Sequence, residues 1–207
     1  PRYNPIFYVI MFLYYELFSR GFFMSTDDYS NLKTTAETDN PEAQFKLGQL
    51  FECGKGVEQS FEKALIWYQR SAEGGNTTAQ YNLGLLYEHG RGTEKNYTKA
   101  AEWYSKASEF GDPWAQTNLA FLFSHGRGVD QSDDVANTLY REAAETGHFQ
   151  AQYNLAARYA SGRGFEPDLI AAHFWFERSK LGASALNQER TNKMIEALKE
   201  HMTEKDL

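Results

Sequence analysis

One set of equivalent positions in this sequence carries side chains that could bind a metal ion. The set is spaced at 36 residues and consists of Cys53, His89, His125 and Ser161. Thiolate and imidazole are common zinc ligands, and they bind at about 2.0–2.3 Å from the ion. Packed helices lie about 8–10 Å apart, so equivalent residues on successive helical units cannot easily share one ion. The spacing therefore argues against a metal site, and we expect no cofactor.

The sequence also lacks the common motifs of enzymes. It contains no P-loop, no dinucleotide-binding fingerprint, no nucleophile elbow and no H-E-x-x-H zinc motif. Cys53 is the single cysteine, which excludes an intramolecular disulfide, and no activating motif accompanies it. We predict that His148 lies in a loop or caps a helix. We therefore expect a protein without catalytic residues.

A second set of equivalent positions places one cation between two glycines in every unit. Its members are Lys55, Arg91, Arg127 and Arg163. Cations stabilise the C-terminal ends of helices, because they attract the exposed carbonyl groups and the negative end of the helix dipole. We interpret these cations as structural. The alternative is a basic ladder that binds an acidic partner segment.

These sets recur because the whole middle of the chain has a 36-residue period. Each period opens with an alanine in a segment that reads A-Q-x-x-L-G/A, at Ala43, Ala79, Ala115 and Ala151. Residues four and eight steps apart lie on one side of a helix, so each segment predicts a helix, helix A, with a buried stripe. A small residue follows the leucine, at Gly48, Gly84, Ala120 and Ala156. We expect these small residues to let two helix backbones approach closely.

A second helix, helix B, follows in each period. Paired glycines separate it from helix A, because glycine adopts the positive φ that a helix stop requires. Helix B carries an alanine followed three residues later by two large residues: Trp67 and Tyr68, Trp103 and Tyr104, Leu139 and Tyr140, Trp175 and Phe176. We expect all these rings to be buried against neighbouring helices. Helix B ends near Gly75, Gly111, Gly147 and Gly182, and Asn76, Asp112 and His148 stand where a cap for the next helix is expected.

Residues 79–104 read A-Q-Y-N-L-G-L-L-Y-E-H-G-R-G-T-E-K-N-Y-T-K-A-A-E-W-Y and resemble the Sel-one-like repeat family, which is related to tetratricopeptide repeats. The resemblance places four repeats in residues 40–184, at 43–78, 79–114, 115–150 and 151–184. It implies an all-α fold, a right-handed α/α superhelical solenoid of about four helix-turn-helix repeats plus a C-terminal capping helix. Thr117 and Leu139 replace usual aromatic residues, which predicts a looser third repeat. Shortening near residues 181–184 predicts an irregular last junction.

The resemblance also implies that the concave face, lined by helix A, binds a partner. The helix A positions directed away from the buried stripe give the candidate residues Phe45, Gln49, Tyr81, Asn82, Leu85, Asn118, Phe121, Tyr153 and Asn154. Asparagine amides can both donate to and accept from a peptide backbone, while aromatic rings form pockets. The alternative is structural: the aromatic rings pack on the preceding helix and the asparagines bond neighbouring backbone groups.

The composition favours a protein partner over nucleic acid. The 207 residues carry a formal net charge of −7 and no run of lysine and arginine that would neutralise several phosphates. A basic peptide or another protein suits this charge better. We expect the repeat region to have no stable membrane span and to be a monomer or a weak oligomer.

The two ends of the chain differ from the repeats. Residues 1–23 are apolar, and we interpret them either as sequence upstream of a natural start at Met24 or as a truncated export or membrane-anchoring segment. The second interpretation would make the protein exported or anchored, whereas the first favours a cytoplasmic location. Residues 24–39 predict a polar lead-in, either a helix or a loop. Residues 185–207 predict an amphipathic capping helix and a tail.

The function indicated by these features is that of a non-enzymatic adaptor or scaffold that binds a peptide or a partner domain in its groove. One alternative is an enzyme that binds or hydrolyses β-lactams, as described for cysteine-rich relatives in the family. This chain lacks their cysteine pairs. Another alternative is a membrane-tethered assembly factor, which depends on residues 1–23.

Overall fold

The computed structural model describes residues 25–203 and contains ten α-helices and no strand in that range. The helices are α1 (Thr26–Glu37), α2 (Pro41–Cys53), α3 (Phe61–Glu73), α4 (Thr77–His89), α5 (Tyr97–Glu109), α6 (Pro113–His125), α7 (Asp133–Glu145), α8 (Phe149–Ser161), α9 (Leu169–Ser179) and α10 (Ala185–Lys199). Each helix packs on the one before and the one after it in the chain. The fold is an all-α solenoid of four helical hairpins, and the all-α prediction is confirmed.

The four hairpins are called repeats 1 to 4 below. They consist of α2 and α3, α4 and α5, α6 and α7, and α8 and α9, with the first helix of each pair as helix A and the second as helix B. The polar lead-in is a helix, α1, which packs on α2. The C-terminal helix, α10, packs on α9 and buries Thr191, Ile195 and Leu198, as its amphipathic pattern predicts. The predictions for residues 1–23 lie outside the described residues.

The helices begin and end at residues that the sequence marks chemically. Asn40, Asn76 and Asp112 each accept a hydrogen bond from the backbone three residues later, at 2.8–2.9 Å, and so cap a helix A. At its other end, each helix A stops at a glycine in the left-handed conformation, for example Gly90 with φ of 68°. The Arg91 N–H then bonds back to the Leu86 carbonyl at 2.9 Å, which closes a Schellman motif.

The core consists of the alanine stripes and one of the two aromatic columns on helix B. Tyr68, Tyr104 and Phe176 are fully buried, and Tyr140 is only 3% exposed. The tryptophan column is half-buried, so the prediction that all these rings are buried is wrong for it. The Trp103 ring lies between core and solvent, where the Lys106 Nζ stands 3.8 Å from its centroid. Adjacent helix positions point about 100° apart, so only one of the two columns can face inward.

The small residue of helix A makes room for the buried tyrosine of helix B. A Cβ atom added to Gly84 would lie 2.5 Å from the Tyr104 ring, and one added to Gly48 would lie 2.6 Å from the Tyr68 ring. In repeats 1 and 2 these glycines therefore leave room for a buried ring against the helix A backbone.

A side-chain amide joins each of three helices A to the end of the helix before it. The Nε2 atoms of Gln44, Gln80 and Gln152 donate to the carbonyl groups of Ala36, Ala72 and Ala144, at 3.0–3.2 Å, and all three amides are buried. These bonds satisfy carbonyl groups that a helix end leaves without an intrahelical partner. The bond from Gln44 to α1 has the same form as the bonds between repeats. The lead-in helix therefore meets repeat 1 as a helix B would.

Gly92→Ala is expected to destabilise the protein by about 1–3 kcal/mol more than Gly111→Ala does. Both glycines have positive φ, 71° and 76°, so both alanines incur a similar backbone cost. A Cβ atom at position 92 would lie 2.3 Å from the Phe61 carbonyl group in the preceding repeat, whereas position 111 has no atom within 4 Å. Urea unfolding of the two variants measures the difference. Equal losses of stability in the two variants would show that the close approach of position 92 to the Phe61 carbonyl group does not affect stability.

Candidate functional site

The nine predicted partner-binding residues all lie on first helices of the repeats. Gln49 is exposed and the other eight are half-buried. The surface that they form is called the A face below; its residues are Phe45, Gln49, Tyr81, Asn82, Leu85, Asn118, Phe121, Tyr153 and Asn154. Their partial exposure leaves each side chain accessible from solvent. The role of this surface as a binding site stays a prediction.

The aromatic rings of the A face lean on the buried rings of helix B. Tyr81 packs on Tyr104 with centroids 5.9 Å apart, and Phe45 packs on Tyr68 at 5.7 Å. Tyr153 meets Phe176 edge-on at 5.3 Å. The structural alternative placed these rings on the preceding helix, whereas their ring partners lie in the second helix of the same repeat. One side of each ring is thus held in place while the other remains exposed.

Buried tyrosines reach the A face through their hydroxyl groups. The Tyr68 hydroxyl donates to Glu52 Oε2 at 2.5 Å, and the Tyr104 hydroxyl donates to Glu88 Oε2 at 2.6 Å. Burial raises the pKa of both tyrosines above the ordinary value, and the glutamate partners raise it further. The hydroxyl groups therefore remain protonated donors. Each bond fixes a carboxylate of helix A beside the aromatic rings.

Two asparagines of the A face, Asn118 and Asn154, have side-chain partners, whereas the structural alternative named backbone groups. The Asn154 Oδ1 accepts from Gln150 Nε2 at 3.1 Å. Asn118 lies at the hydroxyl groups of Tyr81 and Tyr104, where its hydrogen bonding counteracts the effect of burial on their pKa. Asn154 has the same relation to Tyr140. Burial raises the pKa of Tyr140 to about 12, and the hydrogen bond from Asn154 opposes this shift. The asparagine of one repeat therefore supports the tyrosine of the repeat before it.

Repeat 3 is packed as tightly as its neighbours, contrary to our prediction. Thr117 is 4% exposed, and its hydroxyl donates to the Pro113 carbonyl at 2.7 Å. The same oxygen lies 3.0 Å from the His148 Nδ1, and the His148 ring stands edge-on to Trp114 at 4.2 Å. Burial lowers the pKa of His148, although Asp112 opposes this shift. The imidazole thus contacts the Thr117 hydroxyl where repeats 3 and 4 meet.

His148 also corrects the prediction of a helix cap. It occupies the N-cap position of α8 but makes no capping hydrogen bond through its side chain. It is 8% exposed, so it is not an ordinary loop residue either. Its role is to connect repeats 3 and 4 through Thr117.

A buried polar cluster, which sequence reasoning missed, lies at the junction of repeats 3 and 4. Arg158 is 6% exposed and pairs with Asp133 at 2.6 Å through Nη2 and Oδ1. Its Nε donates to Asn137 Oδ1, and its Nη1 donates to Ser124 Oγ at 3.0 Å. Arg163 completes the cluster with an ion pair to Asp133 at 3.1 Å. The cluster replaces apolar contacts, because repeats 1 to 3 have Leu50, Leu86 and Leu122 at the position of Arg158.

The three arginines in the row of cations at the paired glycines pack against the preceding repeat. Arg91 lies over the Phe61 ring at 5.6 Å, and Arg127 lies over the Tyr97 ring at 5.6 Å. Arg163 donates to the Ser124 carbonyl in the last turn of α6. The structural interpretation of these arginines is supported, with the correction that they contact the repeat before their own.

The column of metal-binding residue types is spread along the surface. Cys53, His89, His125 and Ser161 are all exposed at the ends of their helices. His125 Nδ1 lies 2.9 Å from the Phe121 carbonyl, which occupies one ring nitrogen. Within residues 25–203, no three His, Cys, Asp or Glu side chains come together as a metal site requires. Of the helices in the same range, none combines the length and the apolar character that crossing a bilayer needs.

The chain matches the model of a known repeat family. The Sel1 repeat model matches residues 41–76, 77–112, 115–148 and 149–181, which together cover most of the chain. No curated protein sequence matches the chain.

Solved structures show the same architecture. The protective antigen c5321 of uropathogenic Escherichia coli, which displays an SLR fold, superposes with a TM-score of 0.74 at 31% identity over 80% of this chain. A Sel1 repeat protein from Oxalobacter formigenes superposes with a TM-score of 0.72 at 34% identity over 78% of this chain. The chain spans 36% of the length of the antigen and 67% of the length of the Oxalobacter protein.

Proposed function

Because this chain belongs to the Sel1 repeat family, we propose that it is a non-enzymatic adaptor that holds a peptide or a partner domain on the A face. Sel1 repeat proteins generally mediate interactions between proteins. The observation that carries the proposal is the row of half-exposed rings on the A face. Phe45, Tyr81 and Tyr153 are each supported from below by a buried ring of helix B.

Such rings have the properties of binding hot spots. Aromatic side chains give a large contact area with few rotatable bonds, and a ring that is already fixed loses little entropy when a partner covers it. Asn82 and Asn118 stand beside the rings and are half-exposed. Their amides are suited to the backbone of a bound segment, whatever its sequence. The A face therefore combines apolar anchors with polar groups that orient a partner.

Replacing Tyr81, Leu85 and Phe121 together with alanine is expected to weaken partner binding at least about tenfold, because each anchor contributes at the level of a hot spot. The partner is captured with the full chain, identified by mass spectrometry, purified, and titrated against wild type and variant by calorimetry. Thermal unfolding by circular dichroism verifies that the variant is folded.

A matched control removes three exposed apolar side chains from second helices and their ends. Ile66, Phe110 and Phe174 are 53%, 69% and 51% exposed, and none belongs to the A face. The variant with alanine at all three should bind as wild type does. The proposal fails if the control loses binding while the A face variant keeps it. Turnover of a chromogenic β-lactam, abolished by one point mutation, would contradict the non-enzymatic assignment.

A further inference from the structure

The charges beside the A face differ between its two halves. In repeats 1 and 2, Glu52 and Glu88 stand at the tenth position of helix A, counted from Ala43 and Ala79. The hydroxyl groups of Tyr68 and Tyr104 fix one oxygen of each carboxylate. Both glutamates are half-buried and carry no cation partner within residues 25–203. The first half of the A face therefore presents two fixed negative charges.

The second half of the A face carries positive charge. At the equivalent position, repeats 3 and 4 have Ser124 and Ala160, so the carboxylates are lost. The Arg127 guanidinium lies 5.1 Å from the Phe121 ring, and the Arg190 guanidinium lies 4.8 Å from the Tyr153 ring. Both arginines are exposed. Cations thus cover the rings in repeats 3 and 4 where carboxylates flank them in repeats 1 and 2.

The other charged residues near the A face do not cancel the difference in charge between its two halves. Lys46 is paired with Glu42 at 3.4 Å, so it adds little net charge in repeat 1. Asp112 caps α6, and its charge raises the pKa of Tyr81, which burial already raises. Lys55 and Arg91 follow α2 and α4 at the loop position that Arg127 holds after α6, and Arg91 lies over the Phe61 ring at 5.6 Å. The rings of the A face are therefore flanked by carboxylates in repeats 1 and 2 and by guanidinium groups in repeats 3 and 4.

We infer that the A face binds an extended segment in one direction only, with its cationic side chains over repeats 1 and 2 and its acidic side chains over repeats 3 and 4. This inference rests on the proposed function and specifies its partner. Complementary charges set the register and orientation of a bound chain, because the reversed chain would bring like charges together. The carboxylates are already oriented by the tyrosines, so binding does not have to order them.

Three synthetic peptides of equal composition test the inference. Each has a central Leu-Phe-Leu-Phe block with four lysines and four aspartates around it. The first peptide has lysines before the block and aspartates after it, the second has the reverse order, and the third has both residue types mixed. Fluorescence anisotropy with the full chain measures their affinities. At least one ordered peptide should bind about tenfold more tightly than the mixed peptide, since several exposed pairs each contribute modestly.

Charge-neutral variants assign that preference to the A face. The triple variant Glu52→Gln, Glu88→Gln and Arg190→Gln keeps an acceptor for each tyrosine hydroxyl and should bind the ordered and the mixed peptides within about twofold of each other. Its matched control changes the same charges elsewhere, at Glu102, Glu145 and Lys193, all exposed outside the A face. The control should keep the preference of wild type.

The outcomes separate the inference from the proposed function. Equal affinities for all three peptides, no binding of any peptide, or a preference that survives in the charge-neutral variant would each overturn the inference. The Tyr81, Leu85 and Phe121 alanine variant tests the site itself. If peptides bind that variant as well as wild type, the A face is not the binding surface and the proposed function fails too.

Discussion

Arg158→Ala is expected to lower the free energy of unfolding by about 3 kcal/mol, because it removes the central group of a buried ionic cluster. Asn137 and Ser124 would lose their buried partner, and Asp133 would lose its shorter ion pair. Arg163 would still neutralise Asp133. We therefore expect the loss of unfolding free energy to lie near the lower end of the range for broken buried ion pairs. Urea unfolding followed by circular dichroism measures this change.

The matched control restores the residues that other repeats have at these positions. Repeat 2 has Tyr97 and Ala101 where repeat 3 has Asp133 and Asn137, and repeat 3 itself has Leu122 where repeat 4 has Arg158. The triple variant Asp133→Tyr, Asn137→Ala and Arg158→Leu should therefore be about as stable as wild type, since apolar replacements of buried ion pairs are often neutral or stabilising. A stable Arg158→Ala protein would contradict the assigned role of the cluster.

Acid should affect wild type and the triple variant differently. The hydrogen bond and charge of Arg158, with Arg163, hold the pKa of Asp133 below its ordinary value of 3.8. A carboxyl group with a lowered pKa in the folded protein stabilises it fully above that ordinary value and loses this effect as the pH falls through the lowered pKa. Wild type should therefore lose more stability below about pH 4 than the triple variant. Equal acid sensitivity would argue against the ion pair.

Tyr104→Ala is expected to cost about 3–5 kcal/mol, the range for a fully buried aromatic side chain. The ring fills the space above Gly84, supports Tyr81, and donates through its hydroxyl to Glu88. Alanine would leave a cavity inside repeat 2 and remove the support of the A face. The measurement is equilibrium unfolding in urea, with Tyr104→Phe as a variant that loses only the hydroxyl and should cost about 1 kcal/mol.

The neighbouring tryptophan provides the comparison. A buried Trp103 would give a similar loss on replacement by alanine, but its ring is half-exposed and covered by Lys106. Trp103→Ala should therefore cost less than Tyr104→Ala, about 1–2 kcal/mol. If Trp103→Ala is the more damaging change, the tryptophan column carries the core and our assignment of the inner ring is wrong.

The fold was predictable because its signals are repeated and local. Paired glycines mark where each helix A ends, and the structure places Gly54, Gly90, Gly126 and Gly162 in the left-handed conformation. Ala79, Leu83 and Tyr87 form the buried stripe that their spacing predicts. Periodicity was less decisive where two large residues are adjacent. Trp103 and Tyr104 are both aromatic, and their order along the chain alone does not show which one faces the core.

The features that the sequence concealed depend on contacts between different repeats. Thr117 appeared to weaken repeat 3 because its partner, His148, is 31 residues away. Arg158 could have been noticed, since a charge at a position held by leucine in three other repeats departs from the pattern. Its meaning required Asp133 and Asn137, which are also polar where their equivalents are apolar in repeats 1 and 2. Only the folded chain brings these three changes together.

The identity of the partner-binding residues remains a prediction, although the structure explains how they are arranged. Their periodicity indicates one surface, and all nine are accessible on that surface. The tyrosine bonds to Glu52 and Glu88 were not predictable, because each pair is separated by 16 residues across a hairpin. These bonds determine the charge that a partner meets.

The glutamine amides that fasten each of three first helices to the helix before it have an evolutionary consequence. The donor, Gln44, Gln80 or Gln152, belongs to one unit, while the acceptor is a backbone carbonyl that any residue type would supply. A duplicated unit that keeps this bond therefore brings its own fastening and needs no matching mutation in its neighbour, whereas Gln116 of repeat 3 donates to Glu142 instead. Arrays of this kind can change length by gene duplication or deletion in steps of one whole unit, without a new boundary having to evolve each time.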